Sequence, residues 1–166
     1  INSNFEIPNN IDVLICGPGL KNDDWSENVF NKVFTNNDIN TVVLDAGALN
    51  FLHKSFIEYS RLKSEIILTP HPGEASKLLD VSIEEIQEDR CSAAIKIAEK
   101  YHANVILKGN GTIVCSKKNL ELYQCVEGGP ELSSGGTGDV LAGVIGALIA
   151  QNVKPIDSCL LAVAVH

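Results

Sequence analysis

Methionine is absent from all 166 residues, the first included. The chain also stops at Ala162-Val163-Ala164-Val165-His166, within an apolar helical pattern and without a stop signal. The expectation is therefore a segment of a longer protein, residues 1–166 being a partial domain cut at both ends. No basic-plus-apolar leader opens it, and its longest apolar run, Val140 to Ala150, is too short to span a bilayer. Basic residues are scarce, with 13 Lys and Arg against 21 Asp and Glu, a net charge of −8. This balance excludes nucleic acid and an anionic membrane as partners, and a cytoplasmic location is expected. It also repels phosphorylated ligands at long range, so local amides and one or two placed cations must hold any that bind.

Sequence signatures of common sites are missing too. The five cysteines, at 16, 91, 115, 125 and 159, include no C-x-x-C and no metal-ligand pairing with histidine, which reads as reduced thiols and no metal site. No G-x-x-x-x-G-K-[ST] loop occurs. Gly17-Pro18-Gly19 is not a dinucleotide fingerprint, because Asn22 stands at the third glycine's place and a proline lies inside the turn. There is no repeat, low-complexity tract or internal linker.

What is present is ordinary for one soluble globular domain: 45% apolar and 20% charged residues. Short apolar runs, Ile11–Cys16, Thr41–Asp45, Ile66–Thr69 and Val105–Lys108, predict buried strands. Helical patterns alternate with them: Ser26 to Phe34, a brief helix over Gly73 to Leu79, one longer helix over Ile83 to Tyr101, and a last helix from about Ile156. Thr112–Cys115 and Leu120–Tyr123 read as a hairpin around Ser116 to Asn119. The alternation predicts an α/β fold with a mostly parallel sheet and helices on both faces. Ligands of such sheets bind beyond the carboxyl ends of the strands. The loops there are Gly17–Leu20, Asp45–Asn50, Thr69–Glu74 and Lys108–Thr112, and they are expected to share one cleft.

Residues Ser134 to Gln151 carry the most functional information: S-G-G-T-G-D runs directly into an apolar stripe at helical spacing. A glycine-rich turn opening a helix points unpaired N–H groups, and the positive end of the helix dipole, at one spot, which suits phosphate. Candidate phosphate ligands are thus the amides of Gly135, Gly136, Thr137 and Gly138. Asp139, in the first turn, caps the helix or takes a proton from a hydroxyl. Lys108, Gly109, Asn110, Gly111 and Thr112 can curl around a phosphate with the lysine as point charge, although Asn110-Gly111 is also a hairpin-turn signal. Gly17 and Gly19 permit close backbone approach, to a ligand or within a tight turn. His71 lies between two prolines that fix its direction, suited to donating a hydrogen bond to a substrate. Asp45 ends a strand and is open between the cleft, a metal ion and a turn cap.

These segments in this order resemble the ADP- or ATP-dependent NAD(P)H-hydrate dehydratases of the ribokinase-like superfamily. The resemblance rests on I-C-G-P-G-L (Ile15–Leu20) with Trp25 after it, V-L-D-A-G-A-L-N (Val43–Asn50), L-T-P-H-P-G-E (Leu68–Glu74), L-K-G-N-G-T (Leu107–Thr112) and S-G-G-T-G-D-V-L-A-G (Ser134–Gly143). It covers nearly the whole chain. G-T-G-D alone is shared with sugar, pyridoxal and thiazole kinases, whereas the combination is highly specific. The resemblance implies a three-layer fold and repair of hydrated NADH or NADPH: the nucleotide phosphorylates the added hydroxyl, and phosphate then leaves. It implies that Lys108 to Thr112 and Gly138 contact ADP or ATP, and that the amides of Gly135 to Gly138 stabilise the transferring phosphoryl. It further implies that Gly17, Gly19, His71 and Asp139 contact the hydrated cofactor, with Asp139 as base and Mg²⁺ bridging phosphate oxygens. A homo-oligomer is expected, and fusion to an epimerase domain is left open. Three residues depart from the family pattern: Lys21 and Glu131 where glycine is usual, and Gly47 where aspartate is usual. The alternatives are a small-molecule kinase of the same superfamily and a catalytically inactive nucleotide-binding domain.

Overall fold

Buried apolar runs too short for helices pair side by side in the computed structural model, which describes residues 6–36, 38–59, 64–126 and 135–166. Strands β1 (Ile11–Cys16), β2 (Ile39–Leu44), β3 (Glu65–Leu68), β4 (Asn104–Leu107), β5 (Ile113–Cys115) and β6 (Leu122–Gln124) form one sheet in that order. The pairs from β1 to β4 are parallel, and the β4–β5 and β5–β6 pairs are antiparallel. The hairpin around Ser116 to Asn119 is borne out, and so is the mostly parallel sheet.

Successive residues of each strand point to opposite faces, which sorts the core into two layers. Val42, Leu44, Leu68 and Leu107 pack with α1 (Asp24–Thr35), α2 (Gly47–Tyr59), α3 (Pro72–Leu79), α4 (Ile83–Glu88) and α5 (Arg90–Tyr101). Val43, Ile67, Ile106 and Val114 pack with α6 (Thr137–Ala150) and α7 (Pro155–Val165) on the other face. Both faces are covered, which is why these strands are apolar throughout instead of alternating. Fully buried side chains such as Phe30, Ile97 and Ile106 each contribute about 1.5–3 kcal/mol by burial.

Two expectations are corrected. Asp45–Asn50 is not a loop, because α2 begins at Gly47 and buries Ala48, Leu49, Phe51 and Leu52 at helical spacing. Nor is Ile83 to Tyr101 one helix. It breaks at Asp89 (φ −140°, ψ 78°), whose carboxylate accepts from the Ser92 N–H at 2.8 Å and so caps α5. Ile86 and Ala93 stay on one buried face across the break, so periodicity alone does not register it. Among the described residues no helix is long and apolar enough to cross a membrane. Cys16, Cys115 and Cys159 are buried thiols outside any disulfide. Burial pushes the thiols of Cys16 and Cys115 up to about 11 and that of Cys159 up to about 12, which keeps them protonated and unreactive at neutral pH.

Candidate active site

The parallel strands end level with one another, since Cys16 pairs with Leu44 and Leu44 with Leu68. Backbone bonds carry the pairing one step further: the N–H of Asp45 donates to Cys16, that of Thr69 to Leu44 and that of Lys108 to Pro70. Gly17, Asp45, Thr69 and Lys108 are thereby brought to one sheet edge, as the shared cleft requires.

Asp45 is 1% exposed, yet its Oδ1 accepts from both Thr69 Oγ1 and Lys108 Nζ at 2.7 Å. Lys108 Nζ also lies 3.9 Å from Glu74 Oε2. A carboxylate so deeply buried is tolerable only when paired and hydrogen-bonded, and here it is both. The partner that Lys108 needed is thus Asp45, whose role the sequence left open. The two residues sit at the ends of β2 and β4 with β3 between them, so no local spacing links them. The one available signal was opposite charge at the ends of two buried strands.

His71 is fixed differently from the expectation. Pro72 is the first residue of α3, and His71 caps that helix. Its Nδ1 accepts from the N–H groups of Gly73 (3.0 Å) and Glu74 (3.3 Å), while its own N–H donates to Glu74 Oε2 at 2.8 Å. With Nδ1 accepting, the neutral ring carries its proton on Nε2, which lies 3.4 Å from Glu74 Oε1. That side chain is 56% exposed, so the Nε2–H remains reachable. Glu74, which sequence reasoning passed over, contacts both His71 and Lys108.

Lys108 to Thr112 connects antiparallel strands, so the hairpin-turn reading and the ligand reading share one loop. Gly109 (φ +140°) and Gly111 (φ +69°) adopt backbone conformations that side chains disfavour. Thr112 Oγ1 donates to the Gly109 carbonyl at 3.1 Å. Arg90, not singled out from sequence, reaches this loop from the start of α5.

The entry to α6 is of another kind. Gly136 (φ +93°) occupies the cap position and, as a glycine, brings no side-chain cap of its own. Gly135, Gly136 and Asp139 are exposed. A Cβ on Gly138 would stand 3.2 Å from Lys108 Nζ and 3.4 Å from Asp45 Oδ2, so the turn lies directly against the buried ion pair. The Thr137 carbonyl is 2.8 Å from a ring nitrogen of His166. Ser134 and Glu131 lie outside the described residues.

The remaining glycines divide. At Gly17 the close approach is to the protein itself, since a Cβ would fall 1.7 Å from the Asp45 carbonyl oxygen. Gly19 (φ +76°) has nothing within 4 Å of that position and faces open space. Gly47, where the family has aspartate, leaves room for the Leu20 carbonyl oxygen, which a Cβ would meet at 2.3 Å. Lys21 contributes a backbone N–H that donates to Ser26 Oγ at 3.0 Å. A separate cavity of about 580 Å³ opens where β3 and β4 begin, lined among others by Glu65, Asn104 and Lys117, and it includes none of the candidate site residues.

A glycine-opened helix start, an adjoining ammonium and an exposed carboxylate are a set that can receive a phosphoryl group and its acceptor alcohol. A family profile described as NAD(P)H-hydrate dehydratase matches residues 2–166. The chain belongs to the NAD(P)H-hydrate dehydratase family. It is 40% identical over 154 residues to the bifunctional NAD(P)H-hydrate repair enzyme of Coxiella burnetii, an alignment covering 93% of this chain and 30% of that protein. It is 37% identical over 150 residues to the ADP-dependent (S)-NAD(P)H-hydrate dehydratase of Neisseria meningitidis, covering 89% of this chain and 50% of that one. Among solved structures, the ADP/ATP-dependent NAD(P)H-hydrate dehydratase of Bacillus subtilis co-crystallised with ATP/Mg²⁺ superposes with a TM-score of 0.83 at 29% identity. That match covers 97% of this chain and 55% of the Bacillus chain. The chain therefore spans at most about half the length of the curated relatives it matches. The ribokinase-like α/β architecture expected from the motifs is borne out.

Proposed function

We propose that the protein is a nucleotide-dependent NAD(P)H-hydrate dehydratase, acting in the cytoplasm on hydrated NADH or NADPH with ADP or ATP as phosphoryl donor. The observation that carries this reading is the glycine-opened start of α6, set against the Lys108–Asp45 pair with Asp139 exposed beside it. In this reading the amides of Gly135 to Gly138 and the loop Lys108 to Thr112 bind the nucleotide. Gly19 and His71 face the hydrated cofactor, and Gly17 lets the strand end pack against Asp45 behind them. Asp139 takes the proton of the added hydroxyl as its oxygen attacks the terminal phosphorus, and the nucleotide leaves shortened by one phosphate. Phosphate then departs with its bridging oxygen and a ring proton is lost, restoring the nicotinamide double bond. Amides already aimed at the phosphoryl group stabilise its charge without reorganising.

Among the described residues no group of three His, Cys, Asp or Glu side chains could hold a metal ion. Magnesium carried on nucleotide phosphates would need only one or two protein carboxylates. Asp45 Oδ2, facing Gly138, is the carboxylate oxygen available to it. Magnesium supplies neutralisation of phosphate charge there.

The test is to incubate the protein with hydrated NADH, Mg²⁺ and ADP or ATP while following the absorbance of restored NADH. Recovery dependent on nucleotide supports the dehydratase. Stable phosphorylation of a vitamin precursor without recovery would make it a kinase, and nucleotide binding without either would make it an inactive domain.

A further inference from the structure

We propose that Arg90 is a positioning residue for the loop Lys108 to Thr112, holding carbonyl groups back so that the N–H groups of 109–112 face the nucleotide. This rests on the reading of that loop as nucleotide-binding. An anion-binding loop must turn its carbonyl oxygens away from the anion, and an unaided glycine-rich segment has no reason to do so. Arg90 supplies one. From the first turn of α5 its guanidinium donates to the carbonyls of Leu107 (3.1 Å), Lys108 (3.3 Å) and Asn110. These acceptors lie within one short stretch of chain but 17 to 20 residues away in sequence.

Gly109 is shaped to admit that fork, because a Cβ there would stand 3.0 Å from Arg90 Nη2. The Arg90 Nε is buried without a hydrogen-bond partner, so the side chain gives up one bond to hold this place. Burial also lowers the guanidinium's pKa from its ordinary value, yet arginine remains charged at neutral pH. A lysine cannot substitute, since a single ammonium does not spread across three carbonyls in a plane.

The experiment compares the parent protein with Arg90→Lys, Arg90→Gln and Gly109→Ala, the last of which leaves the arginine in place but crowds it. Amide hydrogen exchange at 109–112 is read without nucleotide, and the affinity for ADP and ATP and the KM–kcat split are read with it. In Arg90→Lys, exchange at 109–112 is expected to quicken while the amides of 94–101 keep their protection. Nucleotide affinity should fall about 10- to 100-fold, the loss expected for a charged hydrogen-bond set, with kcat changed by less than about threefold. Gly109→Ala should move the same amides in the same direction. Unchanged exchange, or affinity within about twofold of the parent despite faster exchange, overturns the proposal. If the parent itself binds neither ADP nor ATP, the nucleotide reading of the loop fails instead, and the exchange arm still decides whether Arg90 orders it.

Discussion

The two halves of the candidate site solve the problem of charge in opposite ways. At the strand ends Asp45 is buried and satisfied within the protein by Thr69 and Lys108. At the start of α6 a glycine takes the cap position, and Gly135, Gly136 and Asp139 stand in solvent. One half is an ion pair already made within the protein through Asp45 Oδ1, with Oδ2 left toward Gly138. The other is a glycine-opened helix start with an exposed carboxylate, the half we propose receives the phosphoryl group. Substitutions in the first half should therefore be read in stability, and those in the second in turnover.

The largest expected effect breaks that contrast if it fails. Asp139→Asn should lower turnover by about 10²- to 10⁴-fold, the usual worth of a positioned base, in the absorbance assay. Its melting temperature should barely move, because an exposed substitution shifts stability by only about 0.5 kcal/mol. Next, Asp45→Ala should destabilise the protein by about 2 kcal/mol in denaturant unfolding, since a half-buried ammonium loses its near partner. Asp45→Asn, which can keep the Thr69 bond, should cost less. A smaller effect comes from Gly136→Ala: φ is +93° and a Cβ would meet nothing, so the cost is strain alone, about 1–2 kcal/mol. Gly17→Ala, driven against the Asp45 carbonyl, should cost more than Gly136→Ala in the same measurement.

The smallest effect lies outside both halves and serves as a control. The backbone N–H of Ser82 holds the Glu85 carboxyl below its usual value of 4.5, and that of Ser26 holds Asp23 below 3.8. Because the folded values are the lower ones, both groups stabilise the protein fully above those pH values. That contribution is lost as the pH falls through the lowered ones. Glu85→Gln should flatten part of the acid dependence of unfolding and leave turnover unchanged.

Much of this division was legible in the sequence. The strands were, because burial on both faces leaves short apolar runs that little else explains. The S-G-G-T-G-D turn was too, because glycine and helix-start chemistry are local. Helix α2 was missed because Gly47 adjoins a cleft segment and reads as loop, although its apolar residues recur at helical spacing. The break at Asp89 was missed because its capping bond is made by one side chain, while the buried stripe runs on. His71 replaces the usual Ser, Thr or Asp of a capping box, so the cap was invisible although Glu74 stood three residues on. The Asp45–Lys108 pair and the reach of Arg90 join residues distant in sequence, and only the sheet order brings them together.

Backbone amide NMR during titration with ADP or ATP and Mg²⁺ tests the central claim most directly. The amides of Gly136, Thr137 and Gly138, with those of Lys108 to Thr112, should shift together and saturate on one binding curve. Shifts confined to the residues around Glu65 and Lys117, with the α6 turn unmoved at saturating nucleotide, would contradict it.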